Sequence, residues 1–234
     1  MDDSRESPRT ARCEDFFARF RALYTPFFQA GGEIRFWDLA ALGTDELRNT
    51  SILGWLLDQH ASHGQGDAFF RLFLEALRAS PGCPEAAREA LPGPEQLGGG
   101  YGTRLEISYE SPEDKDSRPG SRVDLEMEGR SMLLFIEAKV YAGETGNQLA
   151  RYAAILDARK GGRAHGLVFL TPEGRPPQEE ILARKVVCVS WRHIARHMSL
   201  HAEKGLSASR SSGETRPPFW AELARQYCRH ISQM

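Results

Sequence analysis

No stretch of about 18 consecutive apolar residues occurs anywhere in the chain, so no membrane-spanning helix is expected. Cysteine is scarce: Cys13, Cys83, Cys188 and Cys228 lie far apart and form no Cys-x-x-Cys pair. That argues against a zinc site or a disulfide framework and leaves buried or reduced thiols. Positive charge is not in excess either, with 30 Lys and Arg against 32 Asp and Glu and a formal net charge of -2. A dedicated high-affinity DNA-binding module is usually basic overall. Any nucleic-acid contact must therefore come from a local patch, or from a bound cation that itself meets the phosphate. The opening stretch "MDDSRESPRTARCEDFF" lacks the apolar core of a signal peptide, which favours the cytosol. There is no Walker A loop, helicase motif or internal repeat.

What is present is an ordinary globular composition, 41% hydrophobic and 26% charged over 234 residues. The first half reads as helices. Phe16, Phe17, Phe20, Leu23, Tyr24 and Phe27 recur at helical spacing from Cys13 to about Gln29, and Gly31 and Gly32 end that helix. Thr44 is the expected N-cap of a helix over 45–58, with Asp45 and Glu46 in its first turn. A further helix carries Phe69, Phe70, Phe73 and Leu77, and residues 80–100 read as a loop with one short helix. Strands follow: an alternating pair at 103–110 and 122–128, then "SMLLFIEAKV" (131–140), apolar on both faces as a central strand is. A helix over 145–159, buried strands at 165–171 and 185–190 separated by a short helix at 176–184, and a helix from Trp191 to about Leu200 capped by Ser190 complete the core. Residues 201–217 are expected to be mobile, and a last helix spans 218–232. The fold class is α/β, a mixed sheet flanked by helices. An N-terminal helical segment, residues 1–100, is expected to pack on a core of residues 101–234, in one compact domain overall.

The central strand ends in "FIEAKV", placing Glu137 and Lys139 where a buried run meets its edge. Gly129-Arg130 reads as a two-residue hairpin turn with glycine first. Centred there, Asp124 faces Phe135 and Arg122 faces Glu137, so Asp124, Phe135, Glu137 and Lys139 share one side of the sheet. Asp124 and Glu137 are then diagonal neighbours, with Cβ atoms roughly 7 Å apart, near enough to converge on one hard cation. Mg²⁺ is usually held by one or two carboxylates plus waters and phosphate. Asp124 and Glu137 supply these, the Ala138 carbonyl can add a third ligand, and Lys139 can orient or help deprotonate a water and balance charge. The expected reaction is in-line hydrolysis of a phosphodiester. Glu137 and Lys139 alone would equally suit a buried ion pair or charges reaching solvent; the acid in register on the neighbouring strand favours the metal. Another Glu-x-Lys, Glu113-Asp114-Lys115, sits in a polar loop without an apolar flank.

Asp124 followed by Glu137-Ala138-Lys139 on adjacent strands resembles the PD-(D/E)xK nuclease superfamily, the restriction-endonuclease-like fold. Val123 stands where that family often has proline, a departure common within it. Gln148 and Tyr152, four residues apart on the next helix, look like the Gln-x-x-x-Tyr motif of RecB-like members, where the pair supports the site and contacts DNA. They also fit a plainer role, Thr145 and Gln148 as a capping box and Tyr152 as core, and both roles can hold. Residues 46–74 resemble a bacterial branch in which a Glu-containing helix, a Trp-Leu-Leu-Asp run and a His-Gly element precede the sheet. The carry-over brings Glu46 toward the metal; an N-terminal acid favoured by the helix dipole remains an equal alternative. Trp55, Leu56 and Leu57 read as core, and His60 and His63 as structural, since histidine suits Mg²⁺ poorly. "GLVFLTPEG" and "VVCVSWRHI" also look like that branch, so the resemblance covers about residues 44–200.

The resemblance implies a deoxyribonuclease using Mg²⁺ or Mn²⁺, with Asp124, Glu137, Lys139 and Glu46 catalytic and Gln148, Arg151 and Tyr152 on the DNA path. Little sequence specificity, a role in phage defence or DNA repair, and targeting by a partner protein or a homo-oligomer are the accompanying expectations. The alternative is a non-catalytic nucleic-acid- or protein-binding module of the same fold. The intact acidic pair and lysine argue against it.

Overall fold

The computed structural model describes residues 35–109, 121–141, 147–177, 180, 182–212 and 218–234. The helix expected over 13–29, the polar loop of Glu113-Asp114-Lys115, and Thr145 lie outside the described residues. The chain divides into two compact units, Met1–Phe36 and Trp37–Met234, and the site belongs to the second. Among the described residues no helix is long and apolar enough to cross a membrane.

A five-stranded sheet in the order β1-β2-β3-β4-β5 forms the centre. Its strands are β1 Tyr101–Tyr109, β2 Ser121–Gly129, β3 Met132–Ala138, β4 Ala164–Thr171 and β5 Val186–Ser190. The pairs β1–β2 and β2–β3 are antiparallel, whereas β3–β4 and β4–β5 are parallel. The sheet is therefore mixed, and β3, β4 and β5 end at the same edge.

Every residue of β3 is buried. Leu134, Ile136 and Ala138 enter one core with helices α1 (Glu46–Leu57), α2 (Ala68–Ala79), α6 (Trp191–Ser211) and α7 (Phe219–Ile231). Leu133 and Phe135 enter a second core with Leu149, Tyr152 and Leu156 of α5 (Gln148–Arg159). Helices on both faces explain why β3 reads as a continuous apolar run rather than an alternating one. The loop over 80–100 carries two short helices, α3 (Glu85–Ala90) and α4 (Pro94–Leu97), rather than one.

The β2–β3 register differs by two residues from the one expected. Leu125 pairs with Ile136 and Glu128 with Leu133, so the hairpin turns at Arg130-Ser131. Gly129 is not a turn residue. It lies in β2 opposite Tyr101, and a Cβ there would sit 2.6 Å from the Gly100 carbonyl oxygen. Glycine serves close backbone approach at that position. Because side chains alternate with period two, a two-residue shift keeps the paired residues Leu125 to Glu128 on their expected faces. The pairing ends at Leu125–Ile136, and Asp124 and Glu137 are the next residues beyond that pair on the two strands.

Two helices correct their expected ends. Asp45, not Thr44, caps α1, its side chain accepting from the Arg48 amide at 2.9 Å. Helix α6 runs on to Ser211 instead of stopping near Leu200, because Ala202, Leu206 and Ser209 stay buried on its inner face. Gly205 does not break it: a Cβ there would meet the Trp220 ring at 2.6 Å, so glycine lets α7 close on α6. Between β4 and β5 the structure shows a 3₁₀ turn, Leu182–Arg184. Cys83, Cys188 and Cys228 are buried.

Candidate metal and catalytic site

The site lies where β3 runs out. A strand buried on both faces can bring a charge to solvent or to a ligand only at its end, and Glu137, Ala138 and Lys139 occupy that end. Beyond the strand the ladder persists for one more bond, Lys139 N–H to the Leu170 carbonyl at 2.8 Å, which fixes the backbone under the lysine. The Trp191 indole donates to the Lys139 carbonyl at 3.0 Å, tying the start of α6 to the same residue. Local pattern does not announce this tie; Trp191 is fully buried, and a buried indole N–H needs an acceptor.

Asp124 reaches the site because β2 is irregular there. Leu125 and Met127 pack in the core of α1 and α2, yet Val123 packs in the core of α5, so the alternation breaks at Asp124. Opposite it in β1, Glu106 adopts φ +50, a left-handed conformation uncommon for a residue with a side chain. Freed from the ladder, the Asp124 carboxylate accepts from the Ala138 amide at 2.9 Å.

Glu137 is 1% exposed. Its Oε1 accepts from Gln148 Nε2 at 2.8 Å and lies 2.6 Å from Lys139 Nζ. Its Oε2 is buried with no hydrogen-bond donor among the described residues. The Glu137 and Asp124 carboxyl groups are within hydrogen-bonding reach of each other, acceptor against acceptor. Burial, reinforced by the Asp124 charge and opposed by Lys139, pushes the Glu137 carboxyl up to about 8. Asp124 is also raised, by burial first, against the pull of the Ala138 amide and Lys139. A buried carboxyl in contact with a partly buried one is reconciled by a shared proton or a shared cation.

Glu46 is brought to the same place from the other side. Gly54 lets α1 settle close on the sheet, since a Cβ there would lie 3.1 Å from Leu125 and 3.3 Å from Leu105. The N-terminus of α1 then overhangs the end of β3. Glu46 Oε1 lies 3.2 Å from Lys139 Nζ, and Oε2 accepts from the Val140 amide at 3.2 Å. Both oxygens are thus engaged by Lys139 and its neighbour, not by Asp124 or Glu137. Burial pulls the Lys139 ammonium down, but the Glu137, Asp124 and Glu46 charges outweigh it and hold the group above its usual range.

Gln148 and Tyr152 sit one turn apart on α5. Gln148 Nε2 also donates to the Tyr152 hydroxyl at 2.8 Å, and that hydroxyl donates to the Arg122 carbonyl. Tyr152 is 1% exposed, and burial followed by the Glu137 charge raises its hydroxyl pKa. The buried ring and its hydroxyl, held between Gln148 and the Arg122 carbonyl, place Tyr152 beneath Gln148. Arg151, next to it, is exposed, with Nε donating to Ser121 Oγ at 3.1 Å.

The fit of these residues to a cation is tested by comparing acids on the adjoining strands β2 and β3. Glu126 is fully buried, yet Arg104 and the Tyr109 hydroxyl reach its carboxylate. Glu128 is bound by Arg104, Arg159 and Arg163. Glu137 alone among the three keeps a buried oxygen without a donor, and a buried polar atom left so needs a missing partner. Among the described residues no three or more His, Cys, Asp or Glu side chains gather as a metal cage. The donors are a carboxylate pair, the minimal protein share for a hard octahedral cation and the wrong set for structural zinc.

A sequence model of the PD-(D/E)XK nuclease superfamily matches residues 35–229. No curated protein and no solved structure matches the chain.

Proposed function

The chain belongs to the PD-(D/E)XK nuclease superfamily, and from that membership and its carboxylate pair we propose a Mg²⁺- or Mn²⁺-dependent enzyme that hydrolyses DNA phosphodiester bonds with little sequence preference. The observation that carries this reading is the buried Glu137 Oε2, which no donor among the described residues reaches, beside the Asp124 carboxyl. Asp124 and Glu137 would hold the cation, with the Ala138 carbonyl beside them. Bound there, the cation would neutralise charge on the phosphate and acidify a water. The protein's own part is positional. Gln148 fixes the orientation of Glu137 at 2.8 Å. Glu46 and Glu137 grip the Lys139 ammonium from two sides, at 3.2 and 2.6 Å. Lys139 is so placed to orient a water and to balance charge on a phosphate.

Exposed Arg122 and Arg151 border this end of the sheet. Guanidinium groups that meet phosphates hold a strand without reading bases, which supports low specificity. A role in phage defence or DNA repair, with targeting from a partner or from oligomerisation, accords with this reading.

The test is cleavage of supercoiled and linear DNA of unrelated sequence in Mg²⁺ or Mn²⁺, with EDTA and Asp124→Ala as controls. Cleavage that requires the metal and is lost in the variant supports the proposal. Cleavage that survives EDTA, or that Asp124→Ala leaves intact, overturns it, and DNA binding without cleavage points to a non-catalytic module of the same fold.

A further inference from the structure

Away from the carboxylates, α6 and α7 pack side by side and leave between them a groove of about 260 Å³. Arg192, Arg196 and Ser199 of α6 line one wall, Arg225 and Arg229 of α7 the other, and Glu203 stands at its far end. The two helices together carry six Lys and Arg against two Glu, in a chain whose formal net charge is -2. Arg225 is paired with Glu222 at 2.6 Å, but among the described residues no carboxylate lies within ion-pair distance of Arg192 or Arg196. Both are exposed. Like charges gathered in one groove repel unless an anion joins them, so the clustering asks for a ligand.

One end of the groove lies beside elements that reach the catalytic end of the sheet. Arg192 follows Trp191, whose indole holds the Lys139 carbonyl at 3.0 Å, and its own Nε donates to the Ser232 carbonyl at 3.2 Å. At the same end His230 of α7 meets the Gly43 carbonyl at 2.9 Å, just ahead of the helix that delivers Glu46. Arg192 and Arg196 are one turn apart, an axial step of about 6 Å, comparable with the spacing of phosphates along an extended strand. Arginine's planar fork suits phosphate oxygens, and the lining offers no large apolar anchor of the kind a protein partner would fill.

We propose that the α6–α7 groove is a second binding site, which takes the phosphate backbone of the strand being cut beyond the catalytic carboxylates. The proposal rests on the nuclease reading of the Asp124–Glu137 site. It makes affinity depend on strand length, because only a strand that passes the carboxylates reaches the arginines.

Fluorescence anisotropy of a labelled oligonucleotide in EDTA, over a series of salt concentrations, tests it. R192Q/R196Q is expected to weaken binding about tenfold at moderate salt and to flatten the plot of log affinity against log salt by about two units. R196E, a single exposed substitution, gives the same direction of change should the double variant fail to fold. Equal affinity and equal salt slope in wild type and variants overturn the proposal. So does displacement by poly-glutamate as readily as by unlabelled oligonucleotide, which would make the groove a surface for acidic protein. A wild type with an arginine-dependent slope that cuts nothing in Mg²⁺ supports the groove and removes the nuclease reading. A wild type that cuts, but whose binding ignores both arginines, removes the groove alone.

Discussion

Gln148 Nε2 donates to Glu137 Oε1 at 2.8 Å, so the first residue of α5 holds one oxygen of the carboxylate that ends β3, while Oε2 is left without a donor. Orientation of a ligand by a neighbour of this kind typically carries 10- to 100-fold in metal affinity. Gln148→Ala is therefore expected to shift the Mn²⁺ titration of cleavage upward by about that factor. Thermal stability should fall by only about 1–3 kcal/mol, the net worth of the two hydrogen bonds its amide donates, because Tyr152 keeps its bond to the Arg122 carbonyl. An unchanged metal titration in the variant would detach Gln148 from the site.

Glu137→Gln keeps volume and removes a charge. Cleavage should be nearly abolished, while the metal-free protein should melt no lower than wild type, since a buried carboxyl beside Asp124 is already disfavoured in its charged form. Differential scanning fluorimetry gives a reading independent of activity. Mg²⁺, Mn²⁺ and Ca²⁺ should each raise the wild-type melting temperature, and none should raise that of the variant. Ca²⁺ should bind without supporting cleavage, because its looser, larger coordination positions a water poorly. A full metal-induced shift in Glu137→Gln would falsify the assignment of Glu137 as a ligand.

The end of β3 was legible in the sequence because a continuous apolar run that stops at Glu-Ala-Lys has few structural uses. Asp124 was legible because a sheet's period of two tolerates a two-residue error: the turn was placed on Gly129, yet Asp124 stayed on the face of Glu137. Gly129 misled because a glycine needed for close approach to Gly100 looks like one needed for a turn. Glu46 could not be read from local pattern at all. An acid in a first helical turn is commonplace, and only the packing of α1 at Gly54 carries it to Lys139. The inward turn of Tyr152 and the arginine groove were hidden for the same reason. Both depend on how elements pack, and the groove joins residues 192–196 to residues 225–229 through the contact of two helices.

The reading of His63 as structural leads to a pH prediction. Its ring is 4% exposed, Nδ1 accepts from the Gln65 amide at 2.9 Å, and Trp55 and Phe69 stand edge-on at 5.2 and 5.7 Å. A second proton would have to displace the Gln65 bond. Burial lowers the pKa of His63 despite Asp58. It also lowers His193, with help from His197 and Arg196, and His201, with help from Lys204 and His63. A base whose folded pKa lies below its unfolded value stabilises the fold fully above about pH 6.5, and that stability is lost as pH falls toward the folded pKa. Melting temperature should hold from pH 8 to about 6.5 and then decline. His63→Asn, which keeps an acceptor for Gln65 but cannot titrate, should lower stability at pH 8 and decline less steeply in acid. An equal acid slope in the variant would remove His63 from the transition.

Glu46 separates two roles cleanly. Its oxygens are engaged by Lys139 Nζ and the Val140 amide, each at 3.2 Å, contacts of a residue that would position Lys139. Glu46→Gln leaves one acceptor where two are needed and removes a charge beside the ammonium. A charge-assisted hydrogen bond of about 1.5–3 kcal/mol corresponds to a fall in kcat of about 10- to 100-fold. The metal dependence of cleavage and the Mn²⁺-induced rise in melting temperature should be those of wild type. The double variant E46Q/K139A should be no slower than K139A alone, because a residue that acts through Lys139 has nothing left to position once the ammonium is gone. Independent, multiplying losses in that cycle, together with a weakened metal titration in E46Q, would place Glu46 among the ligands and extend the donor set of Asp124 and Glu137 to a third helix-borne carboxylate.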